Sequence, residues 1–254
     1  ELGNGFYLNF LLKYEERSRI DVLEKPVFID KIKYSEIKAN QVIQNNLYNS
    51  NLFGTDINLL YKFNVQYINY NGRLIELDND YTTLQFNIQN SYKNIFGSNI
   101  DFLKWQLKLI PNIELYTYGK MKIQTTIGGM LQGNASFIDY IHFNTNNLIV
   151  EKNNEIRFQT LPYYSFSTKE NFYFTNLIEH HFNGFITNKI PLFKKWNCFL
   201  VGSFNTLYIK KDNYFYEYGI GLENILKIIR VDYFTGYDNN QNKYNGLRFR
   251  IAIY

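Results

Sequence analysis

Leu103-Lys104-Trp105-Gln106-Leu107-Lys108-Leu109 alternates apolar and polar side chains without a break, and Leu59-Leu60-Tyr61-Lys62-Phe63-Asn64-Val65-Gln66-Tyr67 sets its apolar residues against Lys62, Asn64 and Gln66 in the same way. Successive side chains of a strand point to opposite faces, so a period of two residues marks a β-strand with one face for hydrocarbon and one for water. The rhythm runs from Phe6, Leu8, Phe10 and Leu12 near the start to Leu247, Phe249, Ile251 and Ile253 at the end. A soluble sandwich and a transmembrane barrel both alternate like this, so other features must separate them.

Composition narrows the choice. The 254 residues include 23 Tyr, 22 Phe and only 4 Pro, with 19% aromatic side chains. Girdles of aromatic rings at two water-lipid interfaces are one physical reason for such a content. A base-composition bias toward Asn, Ile, Lys, Tyr and Phe explains part of it but not the alternation. No run of eighteen uncharged apolar residues occurs, which argues against a transmembrane helix. The mean hydropathy of -0.34 does not oppose a membrane barrel, whose strands turn half their side chains to a polar lumen. With 27 basic and 23 acidic residues, the net charge of +4 is too balanced for a nucleic-acid partner. Cys198 has no second cysteine to pair with. The chain starts at Glu1-Leu2-Gly3 without a signal peptide, as expected of a mature exported product or of a piece of a longer one.

Strands are expected at about 5–15, 27–37, 41–49, 57–70, 81–94, 99–110, 112–127, 136–144, 147–160, 171–182, 197–209, 214–223, 228–237 and 245–254. Their spacing of roughly 16 to 18 residues fits a membrane strand plus a turn. The expected fold is therefore all-β: a transmembrane antiparallel up-and-down barrel of about fourteen strands (12 to 16), forming one domain over 1–254. Turn chemistry divides the strands at Tyr70-Asn71-Gly72-Arg73, Leu77-Asp78-Asn79-Asp80, Phe96-Gly97-Ser98-Asn99 and Asp238-Asn239-Asn240-Gln241-Asn242. Asp21 to Lys25, followed by Pro26, reads as a loop outside a bilayer. Pro111 and Pro191 read as strand ends or bends.

Catalytic constellations are not visible. The histidines are His142, His180 and His181, and adjacent strand residues point apart, so the pair cannot serve one metal without a bulge. Asp139, His142 and Glu179 form the one conceivable site, and the plain alternative is that they are interfacial or lumenal polar residues. Gly-x-Ser-x-Gly, Walker and dinucleotide fingerprints are absent. Gly219-Ile220-Gly221 suits a strand with close neighbours better than a phosphate loop. The reading expects no enzyme, no cofactor and no metal. Arg230 and Asp232 share one parity, as do Arg248 and Arg250, while Ile229, Val231 and Tyr233 take the other. On a barrel this charged row faces the lumen, where Arg230, Arg248 or Arg250 can pair with Asp232, Glu217 or Glu223 and brace or plug a narrow pore. On a soluble sheet it is simply a solvated face.

The stretches Glu179-His180-His181-Phe182-Asn183-Gly184-Phe185-Ile186, Lys189-Ile190-Pro191-Leu192, Tyr216-Glu217-Tyr218-Gly219-Ile220-Gly221-Leu222-Glu223-Asn224-Ile225 and Ile229-Arg230-Val231-Asp232-Tyr233 resemble a large Bacteroidota family of outer-membrane proteins. In that family a carboxypeptidase-like regulatory domain precedes a barrel, and residues Glu179, His180, His181, Gly184, Pro191, Gly219, Gly221 and Asn224 carry the likeness. Ile141-His142-Phe143-Asn144 and Phe158-Gln159-Thr160-Leu161-Pro162-Tyr163-Tyr164-Ser165-Phe166-Ser167-Thr168 look like the same family. The regulatory domain has no counterpart in these residues, so the chain corresponds to the barrel part. More distantly, the order of elements is similar to the end of the barrel in the BamA-like outer-membrane insertase superfamily. The lumenal-loop motif of that superfamily is represented only by Phe182-Asn183-Gly184-Phe185, without its arginine. Outer-membrane barrel precursors typically end on an aromatic residue with apolar residues two and four before it, whereas here Tyr254 follows Ala252 and Arg250, and the apolar row is Phe249, Ile251 and Ile253.

The resemblance implies the outer membrane of a Gram-negative bacterium, with membrane lipid or lipopolysaccharide and other outer-membrane proteins or lipoproteins as partners. Three functions follow. The first is an insertase-like or accessory subunit of an envelope protein insertion or translocation assembly. The second is a passive porin or solute channel, whose lumen, lined by Lys62, Lys104, Lys108, Lys120 and Lys122, would favour anions. The third is a soluble all-β binding module.

Overall fold

β-branched and aromatic residues fill the alternating runs, and these become strands because such side chains pack well on a pleated surface. A computed structural model describes residues 5–18, 49–77, 81–146, 150–151 and 156–251. Among them are fourteen strands: β1 (Phe6–Arg17), β2 (Ser50–Lys62), β3 (Tyr67–Tyr70), β4 (Arg73–Glu76), β5 (Thr83–Ser91), β6 (Asp101–Ile110), β7 (Asn112–Glu114), β8 (Lys120–Asn134), β9 (Val150–Glu151), β10 (Tyr173–His181), β11 (Phe199–Lys210), β12 (Asn213–Ile225), β13 (Ile229–Asp238) and β14 (Lys243–Ile251). Twelve form one sheet, with the path β1-β2-β5-β6-β8-β10-β11-β12-β13-β14-β9 and β7 beside β8. Every pairing is antiparallel except the two-residue contact of β9 with β14. The hairpin β3-β4 stands apart, turned by Asn71 and Gly72 with φ of 51° and 79°, as an Asn-Gly turn requires.

Register decides what each face carries. Leu8, Phe10 and Leu12 of β1 lie opposite Leu59, Ile57 and Thr55 of β2, and Ile57 and Leu59 lie opposite Ile88 and Phe86 of β5. The row continues through Trp105 and Leu107 of β6. On the far side of the sheet, Phe204 faces Tyr218, and Ile220, Tyr233 and Leu247 succeed one another across β12, β13 and β14. These side chains are outward: Phe10 is 60% exposed and Ile220 59%. The other face holds Glu179, Asn205, Glu217, Arg230, Asp232, Arg248 and Arg250, all buried. The polarity of the sheet is thus inverted relative to a soluble core.

The described residues between β8 and β10 include an insert, 135–146 and 156–172, that lies against this inner face. Its Phe158, Leu161 and Phe166 form one buried cluster with Tyr173, Leu177, Leu207, Ile209 and Phe215 from β10, β11 and β12. The segment is bonded both to Arg17 of β1 and to Arg248 of β14. Strands at opposite ends of the path therefore reach one insert, so the sheet curls around it. Among the described residues no ladder joins β14 to β1, and the observed architecture is a curled twelve-stranded sheet with an insert.

Several expected boundaries shift. The run 57–70 splits into the end of β2 and β3, because Asn64 takes the left-handed conformation at φ 55°. The run 112–127 divides into β7 and β8 around a 3-10 turn at Tyr116–Tyr118. The expected strand at 136–144 is instead part of the insert, with a 3-10 turn at Phe137–Asp139 and isolated bridges Ile141 to Thr168 and Thr145 to Phe158; of the run 147–160 the described residues are the short β9 and 156–160, and 147–149 and 152–155 lie outside them. Pro191 starts a six-residue helix, Pro191–Trp196, because its fixed φ and missing N–H suit the first helical position. The strands expected at 27–37 and 41–49, apart from Asn49, the loop Asp21–Lys25, residues 78–80 of the polar turn and Tyr254 lie outside the described residues.

Candidate functional site

A carboxylate buried on an apolar sheet must be fully hydrogen-bonded or it costs several kcal/mol, and Glu217 of β12 meets this condition by holding the insert. The Gln159 amide N–H donates to its Oε1 at 2.7 Å, and the Thr160 amide and hydroxyl donate to Oε2, each at 2.7 Å. Asn205 of β11 supplies a fourth donor at 2.8 Å. Two strands on, Arg248 donates to the Gln159 carbonyl and, at 3.3 Å, to that of Asn146. One acid and one base thus grip the same backbone from its two polar edges. At the other end of the insert, Arg17 of β1 pairs with Asp139 at 2.8 Å, and Lys104 of β6 donates to the Asp139 carbonyl at 3.0 Å. The Ser136 amide fixes the second Asp139 oxygen at 3.2 Å.

A chain of charges lies beside this clamp. Arg230 and Arg250 stand directly opposite each other on β13 and β14, a like-charge pair that would be unfavourable alone. Glu179 and Asp232 resolve it. Arg230 donates to both oxygens of Asp232 through Nε at 2.9 Å and to Glu179 at 2.6 Å, while Arg250 lies 3.5 Å from Glu179 and 3.4 Å from Asp232. His181 extends the chain, with Nε2 2.9 Å from Glu179 and Nδ1 2.9 Å from Glu223. Glu179 belongs to β10 and reaches β13 across β12, where Gly219 and Gly221 leave the inner face open. A Cβ at Gly219 would overlap the Phe234 ring, and one at Gly221 would overlap the Asp232 carboxylate. Gly221→Ala is accordingly expected to cost about 1–3 kcal/mol through a displaced Asp232, read as a lower unfolding midpoint in denaturant.

The charged residues singled out in the sequence are therefore brought together in part. Arg230, Asp232 and Arg250 form one cluster, which Glu223 joins through His181. Glu217 and Arg248 bind the insert instead. Glu179 is the hub of the cluster, a role that spacing alone could not show because its partners come from strands 51 and 71 residues away. His180 points to the opposite face from His181 and donates to the Tyr118 carbonyl at 2.9 Å. Asp139, His142 and Glu179 do not share a site: Asp139 is held by Arg17, His142 contacts the Ser167 hydroxyl at 2.8 Å, and Glu179 is taken by the arginines. Burial lowers the pKa of His142. Among the described residues no group of three His, Cys, Asp or Glu could hold a metal ion. Gly184 lies in a connection, Pro191 opens the short helix and Asn224 lies at the end of β12. The Gly184 carbonyl accepts from the Asn188 amide at 3.0 Å, and Asn224 donates to the Asn197 carbonyl at 2.7 Å.

Between the insert and the strand ends near Lys62, Ile110 and Lys120 lies a cavity of about 710 Å³. His142, Phe143, Asn144, Ile156 and Phe158 of the insert bound it on one side, and Lys62, Lys108, Lys120 and Lys122 on the other. Lys104, expected in the same lining, is on the far side of the insert in a smaller recess with Lys13, Arg17 and Asp139.

Fold and site together define a curled antiparallel sheet with an apolar outer face, a charged inner face and an insert clamped inside. The chain belongs to the family described as "Family of unknown function (DUF5686) C-terminal domain", whose model matches residues 1–222. No curated protein and no solved structure matches it.

Proposed function

We propose that the chain is a closed, plugged β-barrel of a Gram-negative outer membrane, acting without catalysis as an insertase-like or accessory subunit of an envelope protein assembly. The inverted polarity of the sheet carries this reading: a soluble protein would leave Phe10, Leu12, Phe204, Ile220 and Leu247 in water while burying arginines and acids. Exposed Tyr116, Tyr118, Phe185 and Trp196 gather in connections at one end of the strands, where an aromatic girdle would meet lipid headgroups. The family description, a C-terminal domain, fits a barrel preceded by a regulatory domain, and the likeness to Bacteroidota outer-membrane proteins supports the location and the lipid and protein partners. Detergent-dependent extraction, heat-modifiable gel mobility and co-purification with other outer-membrane subunits test the assignment; a chain soluble in plain buffer would sink it.

Substitution on the outer face gives a quantitative test. Ile220→Arg near the middle of β12 is expected to cost about 2–4 kcal/mol when folding into liposomes is measured against denaturant, because the charge would sit in hydrocarbon. At a water-exposed site the same change stays within about 0.5 kcal/mol, and that result would favour the soluble binding module. The lysine-lined cavity favours a second reading, a solute channel selective for anions. Planar-bilayer recording separates the two: a clamped insert predicts small or absent conductance, and a steady large conductance would favour the channel.

A further inference from the structure

We propose that the lysine-lined cavity is a binding site for a phosphate-bearing ligand. Its position makes it a recess rather than a passage, since residues 142–144 with Ile156 and Phe158 close one side and Phe158 is itself packed in the buried cluster. Its volume of about 710 Å³ falls within the range of small-molecule sites. Lys108 and Lys122 set the charge of the recess. Among the described residues the lining contains Lys62, Lys108, Lys120 and Lys122 but only one carboxylate, Glu76. Glu76 is already engaged by Lys62 at 2.7 Å and by the Tyr7 hydroxyl at 2.5 Å, so it offers little compensation to Lys108 and Lys122. The acid next in register to Lys122, Glu179, is held by Arg230. A positive recess with low-dielectric walls focuses its field and concentrates anions.

The donor set suits phosphate. The described lining presents several ammonium groups, which bind phosphate as point charges and can share its oxygens among them. Gln106, Gln124 and Asn112 add neutral donors along the lining, and Gln106 is oriented by its bond to the Tyr173 hydroxyl at 2.8 Å. Phe143, half-buried, offers ring surface to the body of a ligand. Such a phosphate could belong to a soluble metabolite or to a lipid headgroup.

Calorimetry on the detergent-purified chain tests the proposal with two probes, inorganic pyrophosphate and dihexanoyl phosphatidylglycerol below its micellar concentration. Saturable binding is expected for at least one of them: pyrophosphate alone indicates a soluble phosphate, the short-chain lipid alone a headgroup, and both indicate that phosphate itself is read. Lys108→Gln with Lys122→Gln should weaken binding about tenfold or more, while the two arginine replacements, which keep the charge, should retain it. The single Lys→Gln variants, expected to lose about threefold each, serve if the double variant fails to fold. Absence of binding by both probes at concentrations on the order of 10 mM, or binding unchanged in folded glutamine variants, overturns the proposal.

Discussion

Replacing Arg230 by methionine is expected to destabilise the protein by about 3–5 kcal/mol, because removal of one partner leaves buried charges uncompensated. Arg230 alone bonds both oxygens of Asp232 and, through a second nitrogen, Glu179. Without it the two acids share only Arg250, which stands farther from each, at 3.4 and 3.5 Å. Arg230→Lys should recover only part of the loss, since one ammonium cannot reproduce the planar fork. The double change Arg230→Met with Asp232→Asn should be milder than Arg230→Met alone, because it leaves Glu179 facing Arg250 with no net charge in the cluster. Denaturant titration of the refolded chain reads all three variants. A loss below about 0.5 kcal/mol for Arg230→Met would show that the cluster is hydrated and contributes little.

Glu217→Ala is expected to release the insert. Deleting the carboxylate orphans the buried Gln159 and Thr160 amides, the Thr160 hydroxyl and the Asn205 amide. At about 1–3 kcal/mol for each unsatisfied group, with incomplete additivity, the attachment weakens by about 2–6 kcal/mol. The readouts are proteolysis between residues 156 and 172 and, in planar bilayers, a rise in conductance over the parent. Glu217→Gln keeps one acceptor oxygen and should fall between. If protease resistance and conductance match the parent in Glu217→Ala, the insert is held by its apolar cluster and the clamp is dispensable.

The strands were legible because alternation is imposed locally. Leu103 to Leu109 reads as a strand in any context, and the structure places Lys104, Gln106 and Lys108 together on one face. The direction of the faces is also visible in the sequence once Arg230, Asp232, Arg248 and Arg250 are seen to share parity. The insert was not legible as such. Residues 136–144 and 158–168 are rich in aromatics, as strands are, but turns at Phe137–Asp139 and about Tyr164 interrupt them, and their polar backbone groups are met by side chains such as Glu217, Arg248 and Thr145 and by isolated bridges rather than by a ladder of the sheet. Pro162 within the second stretch, and its density of Ser and Thr, were the available signals. The stretch Phe158 to Thr168, which carries part of the family resemblance, supplies the buried Phe158, Leu161 and Phe166 of the insert. The hub role of Glu179 was hidden for another reason: contacts between non-neighbouring strands have no fixed offset in sequence.

The clamp also orders events in time. Gln159 finds its acceptor 58 residues later at Glu217 and its arginine 89 residues later at Arg248, while Asp139 meets Arg17 across 122 residues of earlier chain. Contacts of such separation form late, after the entropy of closing long loops has been met. The insert is synthesised after β1 and β6 but before β12 and β14, and its clamp can lock only when those two strands are in place. Locking therefore reports completion of the wall, and a chain interrupted before β14 would carry an insert held from one side only.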